Sequence, residues 1–113
     1  MGYNYAKENF DCPLPIHVKT VDKIGDRILA EGNDATALGL IYGGATVCAW
    51  YPITPSTSVA KAFTDYSKKF RTDPETDKTN VAIVQAEDEL AAIGMVIGAS
   101  WNGARAFLSL IHI

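Results

Sequence analysis

The run Val47-Cys48-Ala49-Trp50-Tyr51 passes without a polar break into Pro52-Ile53-Thr54-Pro55-Ser56, and these ten residues constrain the fold more than any others. An unbroken apolar stretch of this length fits a short strand covered on both faces, as in a parallel sheet. Proline holds its own φ near about −65° and biases the preceding residue toward extended backbone, so Tyr51 through Pro55 form a stiff loop. Beyond it, Ser56 is the expected N-cap of a helix whose Val59, Phe63, Tyr66 and Phe70 recur at helical spacing. A loop from the carboxyl end of a strand to a helix N-terminus is where open α/β sheets bind ligands, because free amides and the helix dipole favour an anion. The Thr54 hydroxyl adds a donor. A proline-stiffened turn with a serine cap explains the same residues without any ligand, so the rest of the chain has to decide.

On the amino side, Glu31-Gly32-Asn33-Asp34 opens the first expected helix, with Asn33 as N-cap and Asp34 as favourable first-turn charge. It runs from Ala35 to Tyr42, turns Leu38, Ile41 and Tyr42 inward, and ends at Gly43-Gly44 in a left-handed cap. Residues 1–30 carry prolines, asparagines and scattered charges without a period, the pattern of a linker or the tail of a preceding domain. After the loop helix, the polar segment 71–80 is a surface connection, and Val81-Ala82-Ile83-Val84-Gln85 is a second buried strand. Ala86-Glu87-Asp88-Glu89 then opens a helix to about Asn102, stopped by Gly103. Leu90, Ile93, Ile97 and Trp101 line one stripe, yet Ala91, Ala92, Gly94, Met95, Val96, Gly98 and Ala99 leave no polar face, so the helix is expected to be buried all round. A third strand begins at Ala104-Arg105-Ala106-Phe107. The order α-β-α-β-α-β implies an α/β fold with a parallel sheet and right-handed crossovers.

At 113 residues and a net charge of −3, the chain is one domain at most and has no basic patch for nucleic acid or an anionic membrane. The apolar run Leu90–Ala99 is far short of the ~20 residues that cross a bilayer. With no leader pattern visible either, the expected location is the cytoplasm. Cys12 and Cys48 form no C-x-x-C pair, so neither a disulfide framework nor a metal or iron–sulfur site is expected on this chain. Cys48 reads as a small buried hydrophobe. The acids Glu87, Asp88 and Glu89 have a simple reading as carboxylates stabilised by a helix dipole. Because Glu89 leads directly into the most apolar helix, its side chain is also a candidate for an apolar setting that raises its pKa and lets it share a proton with a ring nitrogen.

Glu31-Gly32-Asn33-Asp34-Ala35, Tyr51-Pro52-Ile53-Thr54-Pro55-Ser56 and Gln85-Ala86-Glu87-Asp88-Glu89-Leu90-Ala91, continuing through Gly94 to Ala99, resemble in order and separation the start of the α subunit of 2-oxoacid:ferredoxin oxidoreductases. The likeness spans about residues 31–107 and is nearer the 2-oxoglutarate type than the single-chain pyruvate enzymes. It implies the pyrimidine-binding module of thiamine-diphosphate enzymes, here an incomplete parallel sheet. Fusion of a γ domain ahead of the α domain would account for residues 1–30. By the same resemblance, Glu89 pairs with N1′ of the aminopyrimidine and favours the tautomer that takes the C2 proton of the thiazolium, with Glu87 as the fallback if the register slips by two. Tyr51 and Ile53 lie on the cofactor side, and Thr54, with Pro55 and Ser56, holds the substrate carboxylate. The family reaction converts a 2-oxoacid and coenzyme A to acyl-CoA and CO2 and passes electrons through iron–sulfur clusters to ferredoxin. Magnesium, the diphosphate and the cluster are implied on the β subunit, and the fragment alone is expected to be inactive.

After Phe107 the family continues with a T-x-T-S-G-P-G-like string, whereas this chain reads Leu108-Ser109-Leu110-Ile111-His112-Ile113. Those six residues can be encoded by CTG TCT CTT ATA CAC ATC, a transposon-end adapter, so residues 108–113 are expected to be a sequencing artefact. His112 is then no ligand, and His17 is a solvent-exposed linker residue. Two alternatives stay open: the matching part of another thiamine-diphosphate enzyme, such as an indolepyruvate or pyruvate oxidoreductase, and a non-catalytic α/β interaction domain.

Overall fold

The computed structural model describes residues 2–11, 13 and 15–110. Helix α1 (Gly2–Asn9) is followed by an irregular arm, then α2 (Gly32–Tyr42), β1 (Val47–Trp50), α3 (Ser56–Arg71), β2 (Ala82–Gln85), α4 (Glu89–Trp101) and β3 (Ala106–Ser109). The three strands form one parallel sheet in the order β2-β1-β3, with Trp50 level with Gln85 on one side and with Ser109 on the other. From β1 the chain crosses to β2 and then returns over β1 to β3. Two crossovers of the same hand but opposite direction place their helices on opposite faces of a sheet. The packing agrees: α2 and α3 cover Cys48, Ile83 and Phe107, while α4 covers Ala49 and Leu108. Helices α2 and α3 run side by side in the same direction, and Arg71 near the end of α3 ties them by donating to the carbonyls of Ile41 and Ala45. The Phe63 and Phe107 rings meet edge to face at 4.9 Å, closing that side of the core.

Several local expectations are corrected. Residues 2–9 form a helix within the presumed linker, although its residues are all exposed and it adds nothing to the core. Glu31, not Asn33, is the N-cap of α2 and makes no side-chain cap bond. The inward residues of α2 are Ala37, Leu40 and Ile41, whereas Leu38 is half-buried and Tyr42 exposed, because the helix meets α3 along the Ala37–Ile41 stripe. Both expected glycine stops hold: within Gly43-Gly44 it is Gly44 that carries the positive φ, 79°, and Gly103 at 85° ends α4. Strand β2 lies at an edge of the sheet, so only Ile83 is half-buried. Strand β3 runs two residues past Phe107. The largest departure is α4: only Ala92 is buried, and the expected stripe of Leu90, Ile93, Ile97 and Trp101 faces away from the sheet. Small residues let the helix lie flat on Ala49, and the bulky ones are left outside. Among the described residues, Cys48 is fully buried, with its pKa raised from a usual 9.0 to about 12 by loss of solvation. Cys12 and His112 lie outside the described residues.

Candidate functional site

The carboxyl ends of β1 and β2 are neighbours joined by a hydrogen bond from Ala86 N to Trp50 O at 2.8 Å, yet the chain leaves β1 toward one face and β2 toward the other. Two loops therefore leave the carboxyl edge of the sheet at neighbouring strand ends, and ligands of open α/β sheets bind outside the carboxyl ends of the strands. The Tyr51–Pro55 loop forms one lip and residues 86–89 form the other. The geometry therefore brings Thr54 and Glu89, 35 residues apart in sequence, to adjacent strand ends.

The first lip is fastened from inside. Ser56 is buried, and its Oγ donates to the carbonyls of Ile53 at 2.7 Å and Tyr51 at 3.2 Å. It therefore does not cap α3; Pro55 holds the N-cap position, and the Thr54–Pro55 peptide bond is cis. The Ile53 carbonyl accepts from the amides of Ser56 and Thr57, and the Pro55 carbonyl accepts from that of Ser58. The free amides expected to cradle an anion are thus occupied, because the loop doubles back over the first turn of α3. What the lip offers instead is side-chain chemistry: Thr54, Thr57, Ser58 and Lys61 line a shallow open cleft beside Pro55. Thr54 and Pro55 are exposed at this mouth, Tyr51 and Ile53 are half-buried behind it, and Ser56 serves the shape of the loop.

On the second lip the three acids separate by role. Asp88 is the N-cap of α4, its Oδ1 accepting from Ala91 N at 2.6 Å. Glu87 is exposed on the loop, and Glu89 is half-buried as the first helical residue. The next residue, Leu90, is exposed. The pyrimidine end of thiamine diphosphate requires an acid for a ring nitrogen and an apolar wall; Glu89 supplies a carboxyl group on this lip, and Tyr51 and Ile53 supply half-buried apolar side chains on the other. For the diphosphate end, no group of three or more His, Cys, Asp or Glu side chains able to hold a metal occurs among the described residues.

Residues 38–109 match the model of the family "Pyruvate flavodoxin/ferredoxin oxidoreductase, thiamine diP-bdg". The chain belongs to this family. It is 43% identical over 84 residues to the 2-oxoacid:ferredoxin oxidoreductase subunit alpha of Saccharolobus solfataricus, covering 72% of this chain and 13% of that protein. It is 46% identical over 84 residues to a 2-oxoacid:ferredoxin oxidoreductase 2, subunit alpha, of Aeropyrum pernix, covering 70% and 13%. Against the 2-oxoglutarate synthase subunit KorA of Methanocaldococcus jannaschii it is 42% identical over 76 residues, covering 67% and 18%. The chain thus spans less than a fifth of each of these relatives, and it carries the family's thiamine-diphosphate-binding region. No helix among the described residues is long and apolar enough to cross a membrane.

Proposed function

We propose that this chain is part of the α subunit of a 2-oxoacid:ferredoxin oxidoreductase that converts a 2-oxoacid, 2-oxoglutarate first among the candidates, and coenzyme A to acyl-CoA and CO2, with electrons delivered to ferredoxin. The observation that carries this reading is that the Thr54 loop and the Glu89 helix start follow the carboxyl ends of the neighbouring strands β1 and β2. Thiamine diphosphate, when bound, supplies the nucleophilic carbon and the electron sink for decarboxylation. In this reading Glu89 holds a proton at a carboxyl oxygen for the pyrimidine nitrogen, and Tyr51 and Ile53 wall the ring. Thr54 donates its hydroxyl to the substrate carboxylate, and Pro55 and Ser56 set its direction. The β subunit carries the diphosphate, Mg2+ and the iron–sulfur cluster, and the assembly works in the cytoplasm.

The test is oxidation of 2-oxoglutarate, pyruvate and 2-oxoisovalerate by the full-length α subunit co-expressed with its β partner, with coenzyme A and a viologen acceptor. Glu89→Gln keeps the size and hydrogen bonding of the side chain but loses its proton exchange, so kcat should fall by about 10²–10⁴ with assembly intact. Unchanged turnover would remove the assignment. Thr54→Ala should raise KM for the 2-oxoacid on the order of tenfold with a smaller change in kcat, the pattern of lost substrate binding.

A further inference from the structure

Asn33 was expected only to cap its own helix, and it does something else. Its Nδ2 reaches the other helix of the pair, donating to Pro55 O at 3.1 Å and to Ser58 Oγ at 2.6 Å. Ser58 Oγ in turn donates to Pro55 O at 2.8 Å, closing a triangle around the one peptide carbonyl that follows Thr54. A carbonyl only accepts, so the nitrogen of the Asn33 amide, not its oxygen, must face Pro55. Among the described residues, every other side-chain bond to the stretch 51–55 is local, from Ser56 or Ser58. Among the described residues, only the Asn33 amide spans from α2, 22 residues away from Pro55. α2 and α3 are also tied at their far ends by Arg71, so the pair is fastened at both ends, and Asn33 is the fastening beside the Thr54 loop.

We infer that Asn33 is a positioning residue for substrate recognition: by holding the Pro55 carbonyl and the Ser58 hydroxyl from α2, it fixes the direction in which Thr54 presents its hydroxyl. This rests on the proposed role of Thr54. Asn33 is half-buried at the start of a helix and packs in no core cluster, so its replacement leaves the fold standing. Asn33→Ala removes both donors, and Asn33→Asp keeps the shape but turns a carboxylate oxygen toward the Pro55 carbonyl. In the assembled full-length complex, both variants should raise KM for the 2-oxoacid on the order of tenfold while kcat stays within about threefold, since small misplacements of a binding group are costly. Hydrogen exchange of the amides of Ser56–Ser58 should quicken in parallel, a readout that needs no turnover. Unchanged exchange, or quicker exchange with an unchanged KM, would overturn the inference. If the wild-type complex oxidises none of the 2-oxoacids, it is the functional reading that falls, and the exchange rates still decide whether Asn33 holds the loop.

Discussion

On the α2–α3 side of the sheet, Cys48 and Phe63 are wholly buried, and Leu40, Tyr66 and Phe107 close around them. On the α4 side, burial stops at three alanines, Ala49, Ala86 and Ala92, while Leu90, Ile97 and Trp101 stand 80%, 60% and 89% exposed. Both helical layers carry large apolar side chains. The difference is that α3 alternates large apolar and charged positions and so has one inside, whereas α4 has apolar residues on every side and the sheet can cover only one of them. A helix of the second kind is finished by a second surface, and contiguous exposed apolar area is where proteins associate.

The sharpest way to break this comparison is to empty the closed side. Phe63→Ala should cost about 3–5 kcal/mol, since the cavity opens beneath Phe107 with little room to collapse, and chemical denaturation would measure it. A loss below about 1 kcal/mol would mean that the two sides are equally loose. A second probe uses Cys48 on the same side. Its folded pKa, about 12, lies above the unfolded value, so the folded state keeps the proton that the unfolded chain releases. Stability is therefore undiminished below about pH 9 and falls as pH rises from there toward 12, by at most about 1.4 kcal/mol per unit. A thiol reagent at pH 8 should label Cys48 only on unfolding; rapid labelling of the native chain would show the α2–α3 side to be open. The smallest effect on stability belongs to the α4 side, where Leu90→Lys and Ile97→Lys should each change it by no more than about 0.5 kcal/mol. Their consequence is colloidal instead: sedimentation should show less self-association of the isolated chain, and no change there would leave the outer face of α4 without a role.

The order of elements, the parallel pairing and both glycine stops were legible because they rest on local chemistry: apolar runs, a proline pair, and glycines that accept φ of 79° and 85°. So was the pair of lips, since a strand end followed by a helix start is written in consecutive residues. The roles within the lips were legible only in part. Among three adjacent acids, the Asp88 cap and the half-buried Glu89 differ by backbone direction, which the bare string Glu-Asp-Glu does not specify. Ser56 looked like a cap and is a buried brace, because the loop folds back and brings two carbonyls to its hydroxyl.

By itself, then, the sequence determined which segments beyond residue 30 are helix and strand and that Thr54 and Glu89 each sit just beyond a strand end, while helix α1 within residues 1–30 escaped it. Only the tertiary structure decided that these ends are neighbours, that Asn33 serves the Pro55 loop rather than its own helix, and that α4 turns its small residues inward and its large ones out. The reason is range. Capping, proline stiffness and glycine turns are settled within about four residues, whereas a hydrogen bond across 22 residues and the choice of buried face depend on which surfaces the completed sheet brings together.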